Sequence, residues 1–327
     1  MTDLRIGILG AAQIAPNALL APARKVPGVM VAAIAARDPD RARAFADRHA
    51  IGRVLPDYQT LVTDPDLNAV YIPLPNGRHA EWVLAAIAAG KHVLCEKPFT
   101  ANAAQAESIA ERAATSDVTV MEAFHYRYHP LAERVRALVA TEIGAVRQVD
   151  TAMCFPLPRF SDIRYQFDLA GGALMDAGCY AVHAARTFGP GEPRVTAATA
   201  KTLRRDRRVD RAIDIQTIYP GGATGRIRAS MWSSDVLRIA VRVTGEHGSV
   251  RVLNFVAPQF PHRITATSDG RKRRERVPGE ATYTYQLRAF LAATRGEPAN
   301  LTPPADSVQT MRVIDEAYRA AGLPIRP

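Results

Sequence analysis

Over the first 122 residues, short unbroken apolar runs alternate with longer stretches whose apolar positions recur at helical spacing. The runs predict strands over 4–9, 29–35, 69–73, 92–95 and 118–122. The spacing predicts helices near 14–26, 39–50, 81–89 and 102–115. In the third helix Trp82, Leu84, Ala85, Ala88 and Ala89 keep an apolar face, and Gly90 supplies the stop. A strand without polar interruption is buried on both faces. Such strands, each followed by a helix, build a parallel sheet with helices on either side. The expected fold class is α/β, with a doubly wound parallel sheet over 1–122.

The rhythm changes after residue 123. A helix is expected near 130–140, then a stretch rich in Pro and aromatics over 154–166, then a second helix over 172–187. Alternating strands follow over 194–202, 211–219, 224–232, 238–244 and 263–267, with Gly221-Gly222 and Glu246-His247-Gly248 as turn signals. Helices near 283–294 and 305–321 close the pattern. This predicts an α+β domain over 123–327, on an open, mostly antiparallel sheet. One face of such a sheet can stay uncovered and bury against a second copy, which points to a homodimer or homotetramer.

The chain has 327 residues, 47% hydrophobic and 23% charged, enough apolar material for a large core and against disorder. Net charge is +10, which raises the question of nucleic acid. The two densest basic stretches are Arg204-Arg205-Asp206-Arg207-Arg208 and Arg271-Lys272-Arg273-Arg274-Glu275-Arg276. Both contain acids and neither interleaves aromatics, so they read as solvated loops and no nucleic-acid partner is expected. Attraction for an anionic ligand such as a nucleotide phosphate is the more economical use of the surplus. Cys95, Cys154 and Cys179 form no C-x-x-C pair and suit a reducing compartment. No apolar run approaches the roughly 18–20 residues that span a bilayer, and no secretory signal opens the chain. A soluble cytoplasmic protein away from membranes is expected. His49, His92, His247 and His262 show no metal spacing, so no metal is expected.

Ile6-Gly7-Ile8-Leu9-Gly10-Ala11-Ala12-Gln13-Ile14-Ala15 lies where the first strand turns into the first helix. The dinucleotide fingerprint wants G-x-G-x-x-G/A there, because small residues let the backbone approach a pyrophosphate seated on helix N–H groups. From Gly10 the chain offers Gly10, Ala12 and Ala15, with alanine replacing the second glycine. Position and the strand–helix rhythm favour a Rossmann turn over a plain connection. At the tip of the second strand the chain reads Ala35-Ala36-Arg37-Asp38. An acid there would serve the ribose of NAD, an arginine the 2′-phosphate of NADP. Arg37 favours NADP. NAD stays possible if the strand runs one residue longer and offers Asp38, which otherwise caps the next helix before Pro39.

Cys95-Glu96-Lys97-Pro98 ends the fourth strand, at the sheet edge where ligands of open α/β sheets gather. Lys97 there reads either as a group beside a nicotinamide ring or as half of a loop ion pair. Further on, Gly171-Gly172-Ala173-Leu174-Met175-Asp176-Ala177-Gly178-Cys179-Tyr180-Ala181-Val182-His183 places Asp176, Tyr180 and His183 at spacings of four and three, on one face of a helix. They form a row that can handle protons, or else a cap and ordinary packing residues.

These residues resemble the glucose–fructose oxidoreductase/inositol dehydrogenase (Gfo/Idh/MocA) family over nearly the whole chain. The carriers are Gly10-Ala11-Ala12-Gln13-Ile14-Ala15, Tyr71-Ile72-Pro73-Leu74-Pro75-Asn76 with His79, Glu96-Lys97-Pro98, and Gly171 to Tyr180. Many members have His where this chain has Tyr180, and tyrosine there is more similar to the branch of dimeric dihydrodiol dehydrogenases and NADP-dependent D-xylose 1-dehydrogenases. The resemblance implies that Lys97 and Tyr180 are the acid/base pair and that Asp176 orients the reacting hydroxyl. Glu96 would touch the nicotinamide ribose, and Pro98 would follow a cis peptide. Gly10, Ala11, Ala12, Gln13, Ile14, Arg37, Pro73, Leu74, Asn76, His79, Glu96, Lys97 and Arg127 would hold the cofactor. Phe124 and Tyr126, with Lys97, Asp176 and Tyr180, would meet the substrate. The aromatics of the junction Glu122–Pro130 read equally well as packing between domains, and Trp232 and Tyr283 are further pocket candidates.

The expected activity is an NAD(P)-dependent oxidoreduction at a CH–OH group of a sugar, polyol or vicinal diol, as in an aldose 1-dehydrogenase or a dihydrodiol dehydrogenase. The alternative is a catalytically silent nucleotide-sensing protein on the same fold. Loss of the lysine or the aspartate would favour the second, and both are present.

Overall fold

The computed structural model describes residues 4–327. They divide into two compact units. One holds the described residues through Thr100 with Ala104–Tyr128 and Ala281–Val308; the other holds Ala101–Ala103, His129–Glu280 and Gln309–Pro327.

In the first unit, strands β1 (Leu4–Leu9), β2 (Val29–Ala35), β3 (Arg53–Val54), β4 (Ala69–Ile72), β5 (His92–Cys95) and β6 (Val120–Glu122) form a sheet in the order β3-β2-β1-β4-β5-β6. Every pairing is parallel. Ile6, Ile8, Val70 and Leu94 are wholly buried, as their uninterrupted apolar runs demand. The two-residue edge strand β3 and the short helix Tyr58–Thr63 escaped the sequence reading, because so few residues carry no periodicity. The first helix is not one α-helix over 14–26. It opens as a π-helical turn, Pro16–Leu20, and continues only as Ala21–Ala23, where Pro22 lacks the N–H that would extend the ladder. The helix Thr282–Thr294, expected with the later elements, sends Leu287, Phe290 and Leu291 into the core of this first unit.

The second unit is built on β7 (Val146–Cys154), β8 (Arg194–Thr202), β9 (Asp210–Ile218), β10 (Thr224–Ser230), β11 (Arg238–Gly245), β12 (Gly248–Leu253), β13 (Arg263–Ser268) and β14 (Arg271–Glu275), in the order β14-β13-β12-β11-β7-β10-β9-β8. All neighbours are antiparallel except β7 and β10. The central strand β7 went unread because its first half carries Arg147, Gln148 and Asp150. The helix Cys179–Phe188 covers one face, where the Thr151 hydroxyl donates to the Ala181 carbonyl at 2.9 Å. On the other face the cross-strand partners Arg251, Arg242, Asp150, Arg226 and Gln216 stand in one row. A second expectation is corrected. The basic stretch Arg271–Glu275 is an edge strand, not a loop. Arg273 pairs with Glu142, and Arg134 with Glu275, while an edge of exposed cations resists pairing with another chain. No helix among the described residues is long and apolar enough to cross a membrane.

Candidate active site

A parallel sheet delivers the carboxyl ends of its strands to one edge. In the first unit Gly10 follows β1, Arg37 follows β2, Pro73–Asn76 follow β4 and Glu96-Lys97-Pro98 follow β5. The strand order reverses direction between β1 and β4, which makes the crevice there the ligand position of this architecture. Gly10 turns the chain with φ +103°. A Cβ on it would meet Leu74 Cδ2 at 3.0 Å, so the loop after β4 sits directly against the turn. Ala12 N–H donates to the Gly10 carbonyl at 2.9 Å and Ala15 N–H to the Ala12 carbonyl at 3.2 Å. No acceptor among the described residues takes the N–H groups of Ala11, Gln13 and Ile14. A small-residue turn with amides to spare at a helix start suits a pyrophosphate, with alanine in place of the second glycine.

Strand β2 stops at Ala35, and Asp38 Oδ1 accepts from the N–H groups of Asp40 and Arg41 at 3.0 and 3.2 Å. Asp38 is thus spent as the cap of Pro39–His49. Arg37 is exposed, and its N–H donates to the Tyr58 hydroxyl at 3.3 Å. Arg41, which sequence reading passed over, reaches the Ala11 carbonyl at 3.3 Å. The Arg41 guanidinium beside the turn, with Arg37 at the tip of β2, fits a phosphate-bearing ribose.

At the end of β5, Glu96 is buried and its Oε1 accepts from the Tyr71 hydroxyl at 2.8 Å. Tyr71 lies one strand over on β4. Burial, and then the Glu96 charge, push its hydroxyl pKa well above the phenolic range. The Lys97 N–H donates to Glu96 Oε2 at 3.4 Å, and the Lys97–Pro98 peptide is cis, as expected. Lys97 is half-buried. His79 is fully buried, with its ring nitrogens 2.8 Å from the carbonyl oxygens of Pro98 and Leu74, so it ties the lysine loop to the loop over Gly10. His125 stacks on Tyr283 with ring centroids 4.0 Å apart and bonds the Thr282 hydroxyl at 2.7 Å. Burial and then the Lys97 charge hold its pKa down at about 3. The lysine therefore sits among a buried carboxylate, a phenol and the imidazole of His125, which burial keeps neutral. Asn76 and Arg127 are half-buried in the same unit. Phe124 and Tyr126 are wholly buried and meet edge to face at 6.4 Å, a packing arrangement. Tyr71 had been part of the motif without a role, and its partner Glu96 is 25 positions away.

In the second unit the segment carrying Asp176 opens as a π-helical turn, Leu174–Gly178, and passes into the α-helix Cys179–Phe188. Asp176 thus lies in a wide helical turn ahead of the regular helix that carries Tyr180 and His183, and such turns gather at functional sites. Asp176 stays half-buried while Tyr180 and His183 are buried. Arg164 Nε lies 3.3 Å from Asp176 Oδ1. The neighbouring Tyr165 donates to the Leu157 carbonyl at 2.9 Å, and burial pushes its pKa up to about 12. Trp232 meets Phe160 edge to face at 6.1 Å. No group of three or more His, Cys, Asp or Glu side chains that could hold a metal occurs among the described residues.

Residues 4–124 match the model of an oxidoreductase family with an NAD-binding Rossmann fold, and residues 132–251 match the GFO/IDH/MocA C-terminal domain. The chain is 40% identical to D-xylose 1-dehydrogenase (NADP(+)) 2 of Haloferax volcanii over 97% of each. It belongs to the Gfo/Idh/MocA oxidoreductase family. Among other relatives, the trans-1,2-dihydrobenzene-1,2-diol dehydrogenase of Mus musculus is 34% identical over 70% of this chain and 68% of its own. A 3-ketoreductase from Actinomadura kijaniata, solved with NADP and TDP-benzene, superposes with a TM-score of 0.87 at 29% identity, covering 96% of this chain and 97% of that one. This Gfo/Idh/MocA member therefore combines the family's Rossmann domain and its C-terminal domain in one chain.

Proposed function

We propose that this chain is an NADP-dependent dehydrogenase that oxidises a carbinol carbon of a sugar, polyol or vicinal diol. The observation that carries the reading is Lys97, held half-buried at the carboxyl edge of a parallel sheet behind a buried Glu96, beside a turn suited to pyrophosphate. Relatives named for D-xylose and for a dihydrodiol supply the substrate class.

Arg37 and Arg41 would hold the 2′-phosphate, the amides of Ala11, Gln13 and Ile14 the pyrophosphate, and Glu96 the nicotinamide ribose. Nicotinamide, when bound, supplies the hydride acceptor. Asp176 orients the reacting hydroxyl, and Lys97 and Tyr180 take and relay its proton. The row Arg242, Asp150, Arg226 and Gln216 on the open sheet face supports a homodimer formed there.

The test is a panel of aldoses, polyols and diols with NADP and NAD, followed at the absorbance of reduced nicotinamide. Oxidation of an aldose or diol with NADP preferred is expected. Uniform silence with both nucleotides, alongside measurable nucleotide binding, would end the enzyme reading and favour the sensing alternative. Light scattering that gives the mass of one chain would end the dimer.

A further inference from the structure

The turn that launches Asp176 is gripped by an ion pair drawn from distant parts of the second unit. Arg326 and Asp210 are both fully buried, with a guanidinium nitrogen 2.7 Å from Asp210 Oδ1. The same oxygen accepts from the Tyr318 hydroxyl at 3.0 Å, while Oδ2 accepts from Leu174 N–H at 2.7 Å. Arg326 Nε donates to the Gly171 carbonyl at 2.7 Å, and its guanidinium lies 4.0 Å from the Tyr318 ring centroid. The pair therefore holds the chain on both sides of Gly172: the carbonyl before it and an amide two residues after. Gly172 has φ +143°, and a Cβ there would lie 2.2 Å from Asp210 Oδ1. Asp176 N–H bonds the Gly172 carbonyl at 3.0 Å. The orientation of Gly172 reaches Asp176 through that bond, and Tyr180 follows one turn on.

A buried ion pair is a poor source of stability, since apolar residues of the same volume often serve as well. What it adds is direction. A guanidinium fork donates along fixed vectors, here to a carboxylate and to a carbonyl at once, which an ammonium point charge does not reproduce. We propose that Arg326 and Asp210 are positioning residues for this enzyme: they set the turn at Gly171-Gly172 so that Asp176 and Tyr180 meet the substrate in register. The kinetic side of this inference rests on the dehydrogenase reading above; the conformational side does not.

The experiment uses the full chain with Arg326→Lys and, as the milder change, Tyr318→Phe. Three quantities are read: NADPH binding by fluorescence, kcat and KM with the best substrate of the panel, and amide exchange over Leu174–Tyr180. For folded Arg326→Lys, nucleotide affinity should stay within about twofold, since the nucleotide turn belongs to the other unit. The kcat should fall about tenfold with KM changed less, as small misplacements of a catalytic group do. Amide exchange over Leu174–Tyr180 should quicken about tenfold. Unchanged exchange in a folded variant overturns the proposal, whatever the rate. If Arg326→Lys does not fold, Tyr318→Phe carries the same expectation at about threefold, and unchanged exchange there overturns it equally. A wild-type enzyme inactive on the whole panel would sink the dehydrogenase reading alone, and the exchange data would still decide the clamp.

Discussion

Replacing Gly172 with alanine adds one methyl group at a tightly packed point of the second unit. The new Cβ would lie 2.2 Å from Asp210 Oδ1, 2.7 Å from a guanidinium nitrogen of Arg326 and 2.9 Å from the Tyr318 hydroxyl. None of these atoms is a loose side-chain end. Asp210 is pinned by Leu174, Tyr318 and Arg326, so making room means breaking the buried pair. Losing one partner of such a pair costs about 3–5 kcal/mol. Holding a non-glycine residue at φ +143° adds about 1–3 kcal/mol. The sum, about 4–8 kcal/mol, is a large part of the roughly 5–15 kcal/mol that keeps a protein folded. At about 2–4 °C per kcal/mol for a unit of this size, the melting temperature should drop by about 8–30 °C. The assay is thermal melting followed by circular dichroism, with Gly52→Ala as the control, because a Cβ at Gly52 meets nothing within 4 Å. A Gly172→Ala protein melting within about 2 °C of wild type would show that the clamp yields cheaply and would refute the energetics used here.

Lys97→Met should lower kcat by at least about a hundredfold; a variant retaining most of its turnover removes the lysine from the chemistry. Arg37→Ala should raise the KM for NADP about tenfold and leave that for NAD little changed, read from paired initial-rate curves, while an equal effect on both nucleotides would return Arg37 to plain surface. Stability should fall with acid through buried neutral histidines. His125 is held at about 3 and His129 at about 4 by burial, against an ordinary 6.5. Below pH 6.5 the unfolded chain takes up protons that the folded chain refuses. Their contribution is therefore complete above pH 6.5 and declines as the pH falls toward those values, by up to about 1.4 kcal/mol per pH unit for each histidine. Urea midpoints at pH 7, 6 and 5 should show this decline, and His125→Asn should flatten it; an equal slope in both proteins would contradict the assignment.

The parallel sheet was legible residue by residue because its causes are local. Leu4–Leu9, Val29–Ala35 and His92–Cys95 are apolar at every step or nearly so, and a run of that kind has only a two-sided burial to go to. The Gly10 turn, Arg37 at the tip of β2 and the Glu96-Lys97-Pro98 triplet were visible for the same reason: each is a short motif whose meaning lies in its position at a strand end. The polar-edged strand β7 and the cationic β14 were not, since Arg147, Gln148 and the run Arg271–Arg274 look solvated until a sheet is there to pair them. The helix Thr282–Thr294 is amphipathic in any context, but nothing in its own residues says that Leu287 and Phe290 pack with Ile6 and Leu94 in the first unit.

The same division holds within the site. Residue types and spacing along the chain made Lys97, Asp176 and Tyr180 candidates, because covalent neighbours bring their own context. The Tyr71–Glu96 bond, the imidazole of His125 against Thr282, and the grip of Arg326 and Asp210 on Gly172 join positions 25, 157 and 116 apart. Hydrogen bonds of about 3 Å between such positions exist only after strands and helices have packed. Hydrophobic periodicity is felt within one or two turns of chain, whereas the direction of a buried polar group is settled by whichever distant partner the packed fold places beside it.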